Sequence, residues 1–238
     1  IIVDSTVMCR MKRSEVVDNA NIVAGDVIVG FASFGKATYE TEYNSGMGSN
    51  GLTSARHDMF NKSVGIKYPE TFDNSLPEDV VYNGKYALTD NIILDDGYGK
   101  IEMHAAKAVL SPTRTYAPLV KKIFESYRKN IHGMIHCSGG GQTKVLHFVD
   151  NLHIIKDNLF PTPALFRHIQ QAAGTNWIEM YKVFNMGHRL EVYCPVAIAD
   201  ELISIAAEFK IGAKVVGRVE NCAGKKLTIN SPYGKFEY

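Results

Sequence analysis

A layered domain of the α/β or α+β class is what this sequence predicts, on three observations. Segments of strand pattern and segments of helical pattern alternate along the chain. Of its 238 residues 45% are apolar and 21% charged, enough to bury a full core. An alternating apolar run at 132–137 stops at Ser138 and is followed at once by Gly139, Gly140 and Gly141, so a strand ends in a loop without side chains. The net charge of +1 gives no basic field for nucleic acid, and no apolar run approaches the ~20 residues that cross a bilayer. Small molecules or other copies of the chain are the expected partners. Cys9, Cys137, Cys194 and Cys222 lack CxxC or zinc spacing and read as buried thiols in a reducing cytoplasm, with no metal site.

Taken in order, residues 1–10 read as a strand. They carry no initiator Met and no signal-peptide pattern, which implies that something precedes them. Residues 12–21 form a polar connection, with a domain boundary expected near Val23. DVIVGFAS, 26–33, is apolar enough to be buried on both faces. Residues 36–48 read as a loop and 51–60 as a short helix capped by Ser49 or Asn50. The stretch 61–98 has little period, beyond an extended segment at 80–88 and the turn DDGYG. Helical composition at 101–110 ends at Pro112, and 118–129 places Leu119, Val120, Ile123, Phe124 and Tyr127 on one helical face. After the glycine loop come a helix at 142–146, an extended run at 148–155, helices at 163–173 and 176–184, and a strand at 188–195. A helix at 196–210, with Leu202, Ile205, Ala206 and Phe209 on its apolar face, precedes closing strands at 213–220 and 225–230.

Four short motifs carry candidate chemistry, and each has a plain structural alternative. SGMGSNG, 45–51, sets Ser49, Asn50 and Gly51 ahead of a helix, which suits phosphate or sugar contacts or a simple capping box. SPTRTY, 111–116, brings Thr113 and Arg114, whose guanidinium clamps a phosphate or else forms an ion pair. In HCSGGG, Gly139, Gly140 and Gly141 offer backbone amides to an anion or only make a tight turn, while His136 either relays a proton or is a satisfied core histidine. FNMGH, 184–188, puts Asn185 between a helix and a strand, as a polar contact or as part of a helix C-cap.

SGMGSNG, SPTRTYAP, HCSGGG and EMYKVFNMG, in that order, resemble the serial motifs of the phosphoribosylformylglycinamidine cyclo-ligases, also called aminoimidazole ribonucleotide synthetases. The likeness runs from residue 1 to about 219. It implies an α+β fold: a layered α/β/α C-terminal domain over 24–238, a mixed sheet with helices, preceded over 1–23 by a remnant of an N-terminal ATP-binding and dimerisation domain. It implies a cytoplasmic, homodimeric ligase of purine biosynthesis that uses ATP and Mg2+, whose ligands would lie upstream of Ile1. ATP would activate the formyl oxygen of formylglycinamidine ribonucleotide, and the amidine nitrogen would close the ring.

On that resemblance the phosphate-binding residues are Gly139, Gly140, Gly141 and Arg114, with Ser49, Asn50, Gly51, Thr113 and Asn185 nearby and His136 as the candidate catalytic group. Two features depart from the family pattern. Gly48 stands where a histidine is usual, and 36–47 looks like an insertion. A relative within the same ATP-binding superfamily, or a non-catalytic binding or assembly domain offering 1–10 as an edge strand, are the alternatives. An acidic, glycine-rich ATP-binding half upstream would discriminate in favour of the enzyme.

Overall fold

In the computed structural model, which describes residues 6–97 and 99–238, the strands are β1 (Val27–Ala32), β2 (Asn91–Asp95), β3 (Lys100–His104), β4 (Gly133–His136), β5 (Leu152–Lys156), β6 (His188–Cys194), β7 (Ala213–Asn221), β8 (Lys226–Ser231) and β9 (Gly234–Glu237). The helices are α1 (Leu52–Met59), α2 (Lys62–Lys67), α3 (Ala105–Val109), α4 (Ala117–Tyr127), α5 (Ala164–Ala173), α6 (Trp177–Val183) and α7 (Ala199–Glu208). One sheet runs β4-β6-β1-β7-β5-β8-β9, antiparallel throughout except for the parallel pair β5-β8, so it is mixed, as expected.

β1 lies near the middle of the sheet, and its side chains alternate between two cores. Ile28 joins Ile154, Val216 and Leu227 beneath α1, α3, α5 and α6. Val29 and Phe31 join Leu190 and Val192 beneath α4 and α7. This is the layered α/β/α arrangement, and it explains why DVIVGFAS has no polar face. Leu119 and Ile123 of α4, and Leu202, Ile205 and Ala206 of α7, bury the apolar stripes that their spacing predicts.

Several local expectations are corrected. Residues 1–5 of the expected first strand lie outside the described residues, and residues 6–10 are exposed and form no strand, since no neighbouring strand takes up their backbone groups. Further on, Asp18 caps a short 3₁₀ turn and Ile22 is buried against the sheet. The segment 80–88 makes only a single bridge, Phe60 to Tyr86. The helix expected at 101–110 is divided: Lys100–His104 pairs with Asn91–Asp95, and only Ala105–Val109 is helical. Cross-strand pairing overrides helix propensity there. Neither Ser49 nor Asn50 caps α1. The cap position is Gly51 at φ 74°, without a side-chain bond. The helix after the glycine loop is a 3₁₀ helix, Gly141–His147. β9 is a closing strand that the sequence pattern did not predict, and Cys9 is exposed while Cys222 is half-buried.

Candidate functional site

The four motifs meet at one end of the sheet, held together by backbone groups and buried side chains. Ser45 Oγ donates to the Ala108 carbonyl at 2.6 Å, and the Gly48 amide to the Ser111 carbonyl at 3.2 Å, which joins the first motif to the second. Asn185 Nδ2 donates to the Gly46 carbonyl at 2.8 Å, and Asn50 Nδ2 donates to the Val183 carbonyl, which joins the first to the fourth. Gln142 donates to the carbonyls of Asn185 and His188, tying in the glycine loop. Asn185 is therefore a buried strut: Ser33 Oγ donates to its Oδ1 at 2.6 Å, and Oδ1 also accepts from the Gly187 amide.

The three loop glycines do different things. At Gly141, φ is 50° and a β-carbon would lie 2.7 Å from the carbonyl oxygens of Tyr181 and Phe184, so glycine is required for packing. Gly140 has φ 91° and caps the 3₁₀ helix, and a β-carbon there would make only ordinary contacts with Lys144. Gly139 is exposed, and a β-carbon there would find only Asn50 Oδ1, at 3.9 Å. The Gly141 amide returns to the Ser138 carbonyl, whereas the amides of Gly139 and Gly140 have no acceptor among the described residues. Two successive free N–H groups in an open loop are the donors an anion needs. Lys144 Nζ, which donates to Ser138 Oγ at 2.8 Å, brings a positive charge to the same loop.

Arg114 is placed differently from its expected role. Its guanidinium is buried and engaged by Glu40 and by the carbonyls of Ala32 and Phe34. Burial alone would raise the Glu40 carboxyl, yet the hydrogen bonds from Arg114 and the Ala37 amide hold it below its ordinary value. Glu40 belongs to 36–47, which folds over the second motif and is pinned by a bridge between Gly35 and Asn44. That segment thus supplies the partner of Arg114.

A different arginine stands among the motifs, one that no sequence motif marks. Arg189, at the start of β6, is 2% exposed. Its NH2 donates to the Met47 carbonyl at 2.5 Å and to the Gly46 carbonyl at 3.4 Å, and NH1 donates to Thr113 Oγ1 at 3.4 Å. A β-carbon on Gly48, where φ is 63°, would fall 2.0 Å from its NH2. The guanidinium therefore fills the space that a side chain at position 48 would leave by, which is the physical reason for glycine there. Ser49 and Thr113 are exposed beside it and line, with Gly48, Leu52 and 109–112, a small cavity of about 160 Å³. Burial of the His136 ring, aided by the charges of Arg189 and Lys144, pushes its pKa down to about 4. His136 is thus neutral at pH 7, although the residue as a whole is exposed, so its ring is only partly desolvated.

Behind the loop lies a buried polar network. Lys156 Nζ donates to a Glu191 carboxylate oxygen and to Gln142, His188 Nε2 lies 2.8 Å from the same carboxylate, and Tyr193 donates to it at 2.8 Å. Cys137, His188 and Glu191 place ligand atoms within 4.8 Å of one another. The Lys156 ammonium already neutralises Glu191, so this cluster reads as an internal ion pair that anchors β5 to β6.

Residues 85–230 match the family model "AIR synthase related protein, C-terminal domain", a span that holds the last three motifs. Among curated proteins, the phosphoribosylformylglycinamidine cyclo-ligase of Methanococcus vannielii is 30% identical over 217 residues, 91% of this chain and 50% of the relative. The protein of the same name from Methanocaldococcus jannaschii is 29% identical over 214 residues, 90% of this chain and 50% of the relative. Among solved structures, E. coli HypE aligns at 14% identity with a TM-score of 0.45, over 92% of this chain and 50% of that one. The chain spans about half the length of the curated relatives it matches.

Proposed function

Because this chain belongs to the family described as AIR synthase related protein, C-terminal domain, we propose that it serves the ATP-dependent closure of formylglycinamidine ribonucleotide to aminoimidazole ribonucleotide, a step of purine biosynthesis. Curated relatives carry the name of that cyclo-ligase. The observation that carries the reading is the convergence of four segments, scattered from Ser45 to Arg189, on one corner that offers free amides, hydroxyls and cations. Ring closure of this kind asks a protein for positioning and charge neutralisation more than for a nucleophile.

In this chain the amides of Gly139 and Gly140, with Lys144, hold the phosphate of the ribonucleotide. Ser49 and Thr113 present hydroxyls from the facing loops, and Asn50 steadies the approach of the first motif to the glycine loop. Gly51, Gly141 and Asn185 act by shaping those loops, and Arg114 by fixing the second motif to 36–47. In this reading His136, neutral at pH 7, takes the proton that the attacking amidine nitrogen gives up. ATP supplies the phosphoryl group that makes the formyl oxygen a leaving group.

Magnesium fits this corner poorly. The loops 48–51, 111–113 and 136–141 contain no carboxylate, and the nearby acids Glu40 and Glu191 are engaged by Arg114 and Lys156. No step is assigned to the metal here. Homodimerisation and a cytoplasmic setting belong to the same reading. Among the described residues no helix is long and apolar enough to cross a membrane.

Calorimetry with formylglycinamidine ribonucleotide, its dephosphorylated ribonucleoside and inorganic phosphate tests the proposal. The ribonucleotide should bind tightest and the ribonucleoside weakest. A ribonucleotide that binds no better than inorganic phosphate contradicts it.

A further inference from the structure

Among the described residues three lysine or arginine side chains are buried: Arg114, Lys156 and Arg189. The first two face carboxylates, Glu40 and Glu191. Arg189 faces none among the described residues, and burial pulls its pKa below the ordinary arginine value. A buried charge without a counter-ion is costly, and carbonyl dipoles offset only part of that cost. Two of its three hydrogen bonds are long, at 3.4 Å. Its Nε has no acceptor among the described residues. The guanidinium is thus held at one edge and uncompensated in charge, with its Nε unpaired among the described residues.

Its surroundings point the same way. Thr113 and Ser49 beside it are exposed, His136 feels its charge together with that of Lys144, and the glycine loop brings two free amides. We propose that Arg189 is the anion receptor of this corner, completing with Lys144 and the amides of Gly139 and Gly140 a site for a phosphate monoester. Gly48 is part of the same device, because any side chain there would displace the guanidinium. The inference rests on the placement of the anion site in the function proposed above. It assigns the principal charge to Arg189 in place of Arg114, whose guanidinium is engaged by Glu40. A fork of N–H donors suits the oxygens of a phosphate, and a guanidinium keeps its charge at any pH where the protein is folded.

The test is calorimetry at constant ionic strength with inorganic phosphate, ribose 5-phosphate and ATP, on the chain and on Arg189→Met, Arg189→Lys, Gly48→Ala, Gly48→Ala/Arg189→Met and Gly139→Ala. Arg189→Met should weaken the tightest of the three ligands about tenfold or more, and Arg189→Lys by less. Gly48→Ala should resemble Arg189→Met, and the double variant should be no worse than Arg189→Met, since both changes remove one interaction. If Arg189→Met does not fold, Arg189→Lys and Gly48→Ala decide the matter. Affinity within twofold of the parent chain in the folded Arg189 and Gly48 variants overturns the proposal. If Gly139→Ala alone weakens binding, the loop site stands and the role of Arg189 falls. If none of the three phosphates binds the parent chain, both fall. Tighter binding of ribose 5-phosphate than of ATP assigns the site to a sugar phosphate, and the reverse order to a nucleotide.

Discussion

Arg114 grips Glu40 through two parallel hydrogen bonds, Nε to Oε1 at 2.8 Å and NH2 to Oε2 at 2.7 Å, while its NH1 donates to the carbonyls of Ala32 at 2.8 Å and Phe34 at 2.9 Å. One side chain therefore fastens 36–47 and the second motif to the end of β1. Arg114→Lys keeps the charge but loses the fork and leaves buried carbonyls short of donors. It should cost about 3 kcal/mol of stability, read by chemical denaturation, with phosphate affinity unchanged in the folded fraction. An affinity loss without a stability loss would return Arg114 to the ligand site.

The glycine loop gives a graded series. Gly141→Ala drives a methyl group into backbone oxygens 2.7 Å away that cannot rotate aside, so it should destabilise most, by about 2 kcal/mol or more. Gly140→Ala meets only ordinary contacts but must hold φ near 91°, at a cost of about 1 kcal/mol. Gly139→Ala has room and no strained φ, so it should melt with the parent while crowding a phosphate at the free amides. Thermal melts with and without ligand separate these outcomes. Equal melting losses in all three variants would mean that the loop is only a turn.

Lys156 and Glu191 test the interior. Both are fully buried, and Lys156→Met leaves the carboxylate with His188 and Tyr193 but no fixed cation. The expected loss is about 3–5 kcal/mol, while Lys156→Met with Glu191→Leu should recover part of it, because the pair's desolvation cost disappears along with its attraction. Denaturant unfolding of both variants decides. A double variant as unstable as the single would show that the network's remaining hydrogen bonds dominate.

Acid should destabilise the protein in two stages. His136, exposed but partly desolvated and close to the charges of Arg189 and Lys144, is held down to about 4, and burial also lowers His57 and His188. With folded values below the unfolded ~6.5, the unfolded chain binds more protons, so stability falls as pH drops below about 6.5. For His136 the loss levels off below about 4. Burial would raise Glu191, yet Lys156 and His188 hold it down to about 2, so its contribution is lost between about 4.3 and 2. His136→Gln should flatten the first stage in a pH series of melting temperatures. A slope unchanged by that variant would place the titration elsewhere.

Most of the layered architecture is legible in the sequence because its signals are local. DVIVGFAS lacks a polar face, as a central strand must, and the stripes of α4 and α7 match the core they cover. Residues 101–104 read as helix because composition carries no information about their pairing with Asn91–Asp95. The motifs come together at one corner, but the arginine that they mark, Arg114, is engaged by Glu40, and the buried arginine without a carboxylate partner among the described residues, Arg189, lies outside them. PTR looks like a clamp, whereas Glu40, which engages Arg114, lies 74 residues away in sequence. Arg189 hides in a strand pattern, and only its nearness to Gly48 in space reveals it. The one signal available in the sequence is the absence of a side chain at position 48. Lys144, four residues beyond Gly140, has a spacing that is open to notice.

The most direct measurement is a crystal structure of the chain with formylglycinamidine ribonucleotide. The phosphate should lie against the amides of Gly139 and Gly140, with Lys144 and Arg189 within hydrogen-bonding distance and Arg114 still paired with Glu40. A phosphate bound by Arg114, or seated away from the glycine loop altogether, would contradict the assignment.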